Sequence, residues 1–118
     1  MSVRVPILRQ GETLISSVQE ELSDSDILDL QSRLMEQVVR HNATGVVVDV
    51  GALDVLDSFG TRMLCDIASA VQLRGARMCI VGIQPEVAFS MVLLGVTLKD
   101  VPTALDLDRG LALLARKG

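Results

Sequence analysis

The residues able to do chemistry crowd into one run, Val46-Val47-Val48-Asp49-Val50 leading into Leu53-Asp54-Val55-Leu56-Asp57-Ser58-Phe59-Gly60-Thr61-Arg62. Three carboxylates, Asp49, Asp54 and Asp57, and one hydroxyl, Ser58, follow a buried apolar strand and precede a helix. Carboxylates at that spacing could hold a hard cation such as magnesium or calcium. They are also the residues that bond nearby backbone N–H groups in turns and caps, and turn chemistry is the expectation. A phosphoacceptor aspartate at Asp49 would need further acids at the end of the first strand, and Ile7-Leu8-Arg9-Gln10 supplies none. A serine nucleophile needs a base held against it. The single histidine, His41, falls at the end of an earlier helix, with nothing to bring it to Ser58. Neither glycine-rich nucleotide loop is present. No catalytic set is expected, and no metal or cofactor.

Ser58 is left with two roles, as N-cap of the following helix or as a phosphate acceptor. A cap is worth about 1 kcal/mol, and spacing alone favours it. Phosphate would add roughly −1.5 to −2 charges. A helix N-terminus accepts such a group, while Asp57 and its neighbours would repel it.

The elements that must position this run follow from periodicity. Val3, Val5 and Ile7 alternate as an edge strand that tolerates Pro6; Gln10-Gly11-Glu12 turns the chain into a second strand at Leu14, Ile15 and Val18. Ser23-Asp24-Ser25-Asp26 opens a helix with a hydroxyl and a carboxylate three residues apart. Ile27, Leu30, Leu34 and Val38 lie along one face of it, and Asn42 and Gly45 end it. Val46 to Val50 is apolar on both faces, as a covered central strand should be. A second helix spans about Ser58 to Leu73, with Phe59, Met63, Leu64, Ile67, Ala70 and Val71 on its core stripe. Met78 to Val81 is the next strand, and Pro85 opens a third helix carrying Val87, Ala88, Met91, Val92 and Leu94 that stops at Gly95. Leu98 to Val101 is expected to form a last short strand, and Asp106 to cap a terminal helix. The order β-β-α-β-α-β-α-(β)-α indicates an α/β domain with a mixed sheet, about four helices, and parallel crossovers after an antiparallel hairpin.

Composition narrows the partners. A chain of 118 residues with 49% hydrophobic and 22% charged residues forms one folded domain, residues 1–118, rather than a disordered segment. The net charge of −4 argues against a nucleic-acid surface, and Phe59 and Phe89 are the only aromatics available for stacking. Cys65 and Cys79 lack partner spacing and read as reduced core residues. The N-terminus has no long apolar segment and no run is long enough to span a bilayer, so a cytoplasmic protein without membrane contact is expected.

Asp57-Ser58-Phe59-Gly60 resembles the Asp-Ser-Ser/x-Gly signature of STAS domains, the anti-sigma-factor antagonist family, and the order of elements is similar to theirs over nearly the whole chain. Val5-Pro6-Ile7-Leu8, Val46-Val47-Val48-Asp49, Gly82-Ile83-Gln84-Pro85-Glu86-Val87-Ala88 and Pro102-Thr103-Ala104-Leu105-Asp106-Leu107-Asp108-Arg109-Gly110-Leu111 resemble the RsbS branch, the small scaffolds of the bacterial stressosome. The resemblance implies that Ser58 is phosphorylated by an RsbT-type serine kinase, with Asp57, Phe59, Gly60, Thr61 and Arg62 forming the partner-binding surface around it. It implies co-assembly with RsbR-type paralogues, release of the kinase on phosphorylation, and reversal by an RsbX-type phosphatase. The larger paralogues carry an extra sensory domain, whereas this sequence starts at its first strand, as the minimal form would.

Two positions depart from the family pattern. Phe59 stands where many relatives have a second hydroxyl, and is expected on the core stripe rather than as an apolar contact for the kinase. Ser90 falls where larger paralogues carry a second phosphorylatable residue, and is expected to be an inert surface serine. A stand-alone antagonist binding one anti-sigma factor directly is the alternative role, distinguishable by particle size. A small-ligand or nucleotide-binding module is a third.

Overall fold

The computed structural model describes residues 5–95, 98 and 100–116. Nine elements follow one another: β1 (Ile7–Gln10), β2 (Thr13–Ser17), α1 (Asp24–His41), β3 (Gly45–Asp49), α2 (Ser58–Leu73), β4 (Arg77–Val81), α3 (Pro85–Leu93), β5 (Thr103–Ala104) and α4 (Leu107–Ala115). The strands form one sheet in the order β1-β2-β3-β4-β5. β1 and β2 are an antiparallel hairpin around Gly11, whose φ of 62° suits a residue without a side chain. Every later pair is parallel, with Leu14 opposite Val46 and Val46 opposite Met78 in register. The α/β order and mixed sheet expected from the sequence are those observed.

The central strands show why Val46-Val47-Val48 reads as a continuous apolar run. Val46 and Val48 face the helices α1 and α2, packing into one core with Leu30, Leu34, Val38, Leu64, Ile67 and Val71. Val47 points the other way, into a smaller core with Cys79, Val81 and the apolar side of α4. Successive residues of a strand face opposite sides, so a strand covered on both sides must be apolar throughout. Burial pushes the Cys79 thiol up from its ordinary value, against a smaller opposing pull from the Arg77 charge. The sheet interior thus holds this cysteine protonated.

α1 begins as its sequence signal says. The Ser23 hydroxyl accepts from the Asp26 N–H, and the Asp26 carboxylate accepts from the Ser23 N–H. Asn42, at φ 50°, ends the helix in the left-handed conformation, and its N–H donates to the Val38 carbonyl. Gly45 is already the first residue of β3 rather than part of the helix stop.

Several expectations shift. β1 starts at Ile7; Val5 is buried ahead of it, its carbonyl taken by Arg33, and Val3 lies outside the described residues. The last strand is Thr103–Ala104 instead of Leu98 to Val101, of which Lys99 lies outside the described residues. Asp100 sits at φ 63°, which interrupts extended backbone before Val101. Beyond it the Ile80 and Gly82 N–H groups reach the carbonyls of Pro102 and Ala104, which fixes the pairing there. On α3 only Val87 and Met91 are buried, whereas Phe89, Val92, Leu93 and Leu94 are between 66% and 75% exposed.

Gly110 lets α4 lie close to the sheet. A Cβ there would stand 2.5 Å from Val81 Cγ1, inside any tolerable contact. Gly110→Ala is expected to destabilise the domain by about 1–3 kcal/mol through overpacking, despite the better helix propensity of alanine. Denaturant unfolding checks this.

Candidate functional site

The candidate site is built at the carboxyl ends of β3 and β4, where open α/β sheets collect their ligands. After β3 the chain turns at once: the Asp49 carboxylate accepts from the Gly51 N–H at 2.8 Å. Gly82, at φ 81°, packs against this turn so closely that a Cβ would meet Asp49 Oδ1 at 3.0 Å and Gly51 Cα at 3.2 Å. Gln84 then donates from Nε2 to the Gly51 carbonyl at 2.8 Å. These contacts tie the segment leaving β4 to the one leaving β3. Asp49 therefore acts as a turn-forming residue, and the exposed Asp54 lies further along the same loop.

Asp57 begins α2. Its backbone is extended, its carboxylate accepts from the Gly60 N–H at 2.8 Å, and its carbonyl accepts from the Thr61 N–H at 2.9 Å. The cap expected at Ser58 therefore belongs to its neighbour. Aspartate and serine are both good caps, and sequence cannot separate adjacent candidates at a helix boundary. Gly60 suits its place, since a Cβ would press within 3.3 Å of both Asp57 Oδ1 and Leu56 Cδ1.

Ser58 is thereby relieved of capping. It occupies the first helical position, exposed, with its hydroxyl in no hydrogen bond to the described residues. Of the first four N–H groups of the helix, those of Gly60 and Thr61 are taken by Asp57; those of Ser58 and Phe59 have no acceptor among the described residues. Two open donors and the positive end of the helix surround the hydroxyl. Arg62, also exposed, follows four residues later and so shares the face of Ser58.

The rest of the expected surface divides. Phe59 is 44% exposed and leaves the core stripe, which is carried instead by Thr61, Leu64, Ile67 and Val71. Thr61 is 1% exposed, with its hydroxyl buried against the core, and drops out of the partner-facing set. Ser90 is exposed in the middle of α3. His41 accepts at Nδ1 from the Arg9 guanidinium at 2.7 Å. It lies at the opposite end of β3 from Ser58, a separation of at least the strand's length, about 16 Å.

One feature has no local sequence signal. Beside Ser58, between the N-terminal ends of α1 and α2, lies a cavity of about 190 Å³. Its apolar wall includes Leu22, Ile27, Leu53 and Leu64, with Val55 and Phe59 at the mouth and Glu21, Asp24 and Asp57 among the lining residues. The apolar pair Val55-Leu56 set between two aspartates, Val55 exposed and Leu56 half-buried, is the one hint a sequence could offer.

The STAS domain model matches residues 4–109. The chain belongs to the STAS family. It is similar to the S58E form of RsbS from Moorella thermoacetica, with 33% identity, 95% of each chain covered and a TM-score of 0.79. A chain in the molecular architecture of the stressosome, a signal integration and transduction hub, is also 33% identical. The match covers 92% of this chain and 95% of that one, with a TM-score of 0.77. Among curated proteins, the RsbT co-antagonist protein RsbRA of Bacillus subtilis (strain 168) is 32% identical over 82 residues. That alignment covers 70% of this chain but 30% of RsbRA, so the likeness spans under a third of that relative. The RsbS and stressosome chains share this fold over 95% and 92% of the present chain.

The cap assignment has a direct consequence. Asp57→Ala is expected to cost about 1 kcal/mol through loss of the Gly60 bond, while Ser58→Ala stays within about 0.5 kcal/mol of the parent. Urea unfolding of the two variants reads the difference, and a reversed order would assign the cap to Ser58.

Proposed function

We propose that this STAS domain is a non-enzymatic signalling scaffold of a stressosome-type assembly. It holds an RsbT-type serine kinase and releases it when Ser58 is phosphorylated, so regulating a downstream stress or second-messenger pathway. The observation that carries this reading is the division of labour at α2. Asp57 caps the helix, and Ser58 stands exposed beside two unused N–H donors. A phosphate of roughly −1.5 to −2 charges at that hydroxyl gains the helix dipole and lies on the face that Arg62 shares, with no structural hydrogen bond broken. Repulsion from Asp57 opposes this gain. The added charge then acts mainly on whatever docks there.

Phe59, Gly60 and Arg62 complete the surface facing the kinase. Ser90 differs from Ser58, since it lies mid-helix, where the N–H groups are committed to helical bonds, and its neighbours Phe89, Val92 and Leu93 are apolar. It is given no switching role. The similarity to RsbS, RsbRA and a stressosome chain supports RsbR-type paralogues as co-assembling partners; this reading assigns the reversing activity to an RsbX-type phosphatase. STAS scaffolds and antagonists are generally non-enzymatic.

The alternative is a stand-alone antagonist that binds an anti-sigma kinase directly. The outer face of α3 favours assembly. Phe89, Val92, Leu93 and Leu94 form an apolar face on a helix with few polar residues, and contiguous apolar surface of this kind marks contact sites. A second STAS domain is the occupant this reading assigns to it.

Incubation with an RsbT-type kinase and ATP, followed by peptide mass spectrometry, is expected to place phosphate on Ser58 and to find none in Ser58→Ala. Phosphate elsewhere, undiminished by the substitution, would remove the site assignment. Ser58→Asp is expected to weaken kinase capture in a pull-down; unchanged capture would show that charge is not the switch. Phe89→Glu combined with Leu93→Glu is expected to shrink the particle formed with RsbR-type paralogues, read by light scattering. A particle of unchanged mass would move the assembly surface away from α3.

A further inference from the structure

The cavity beside Ser58 is larger than a packing defect and differently lined from an ordinary surface groove. At about 190 Å³, and open to solvent on one side, it has room for a large side chain. Its wall is aliphatic, formed by residues such as Leu22, Ile27, Leu53 and Leu64 that converge from the segment entering α1, α1 itself, the loop after β3, and α2. At its mouth, Val55 is 60% exposed and Phe59 is 44% exposed. Apolar surface left in water at the lip of an apolar cavity is surface that an occupant would remove from water.

The charges lining the cavity all have one sign. Glu21, Asp24 and Asp57 line it, and no lysine or arginine does so among the described residues. Such a lining favours an occupant that brings positive charge beside its apolar part. An anionic membrane surface or a nucleic acid would meet repulsion.

We propose that this cavity seats one bulky apolar side chain, of leucine or phenylalanine size, carried on a basic segment of the protein that docks at Ser58. The inference deepens the scaffold reading and rests on it for the identity of that protein, the RsbT-type kinase. The apolar side chain fills the cavity between α1 and α2, and a neighbouring lysine or arginine meets Glu21 and Asp24 at the rim. A buried anchor ringed by weaker contacts is how interfaces concentrate their energy. Placing the anchor beside the serine separates two tasks: the cavity supplies affinity, and the hydroxyl supplies the switch.

Two surface variants test this without opening the core. Val55→Asp puts a carboxylate on the apolar lip, and Glu21→Lys reverses a rim charge; both side chains are exposed, so the fold should survive, as circular dichroism would verify. Each is expected to weaken equilibrium binding of the kinase by about tenfold or more. If the kinase binds the unmodified domain and both variants with equal affinity, the anchor site is overturned while phosphorylation of Ser58 stands. If the kinase does not bind at all, the scaffold reading fails, and a probe that needs no kinase decides the cavity. In amide NMR spectra of the isotope-labelled domain, phenethylamine is expected to shift Leu53, Leu56, Phe59 and Gly60, and phenylacetate to do so several-fold more weakly. Shifts from neither probe, or equal shifts from both, would overturn the apolar and cationic preference assigned here.

Discussion

The hydrogen bond from the Gly60 N–H to the Asp57 carboxylate sets where α2 begins, and the rest of the candidate site inherits its geometry from that choice. Starting the helix at Ser58 places the serine hydroxyl outside the helix's own bonding pattern. It also leaves two N–H donors open beside that hydroxyl, puts Arg62 on the same face, and turns Thr61 into the core. Starting it one residue later would engage Ser58 in capping, while the packing of Leu64, Ile67 and Val71 would keep the rest of the helix in place. A bond worth about 1 kcal/mol thus separates a structural serine from an available one.

The bond can hold that position because the sheet beneath it is rigid. β3 and β4 are buried on both faces, packed by α1 and α2 on one side and α4 on the other. Their carboxyl ends are laced together by the Asp49 turn, the close approach of Gly51 to Gly82, and the Gln84 bond to Gly51. The cavity lies where the segment entering α1, the loop from Val50 to Asp57 and the first turns of α2 meet.

The order of elements was legible because local signals agreed with the global fold. The Ser23/Asp26 pair, the all-apolar Val46-Val47-Val48 and Pro85 at the start of α3 each mark one element and match the structure. Sequence and structure part where the deciding interaction is not local. The last strand falls at Thr103–Ala104 because it pairs with β4, which no property of Leu98 to Val101 reveals. Phe59 sits on the apolar stripe by count but belongs to the helix's first turn, which overhangs the sheet edge. The choice between Asp57 and Ser58 as cap turns on a single residue of register. Glu21, Asp24 and Leu22 join the candidate site only through the packing of α1 against α2, more than thirty residues along the chain from Ser58.

The central claim is that Ser58 can carry a phosphate while Asp57 keeps α2 in place. Hydrogen exchange of the Gly60 and Thr61 amides, compared between the domain before and after phosphorylation by its kinase, tests it most directly. Protection of both amides is expected to persist, with the phosphate on Ser58. Loss of protection through the first turn of α2 on phosphorylation would contradict the claim, because the serine would then be part of what holds the helix.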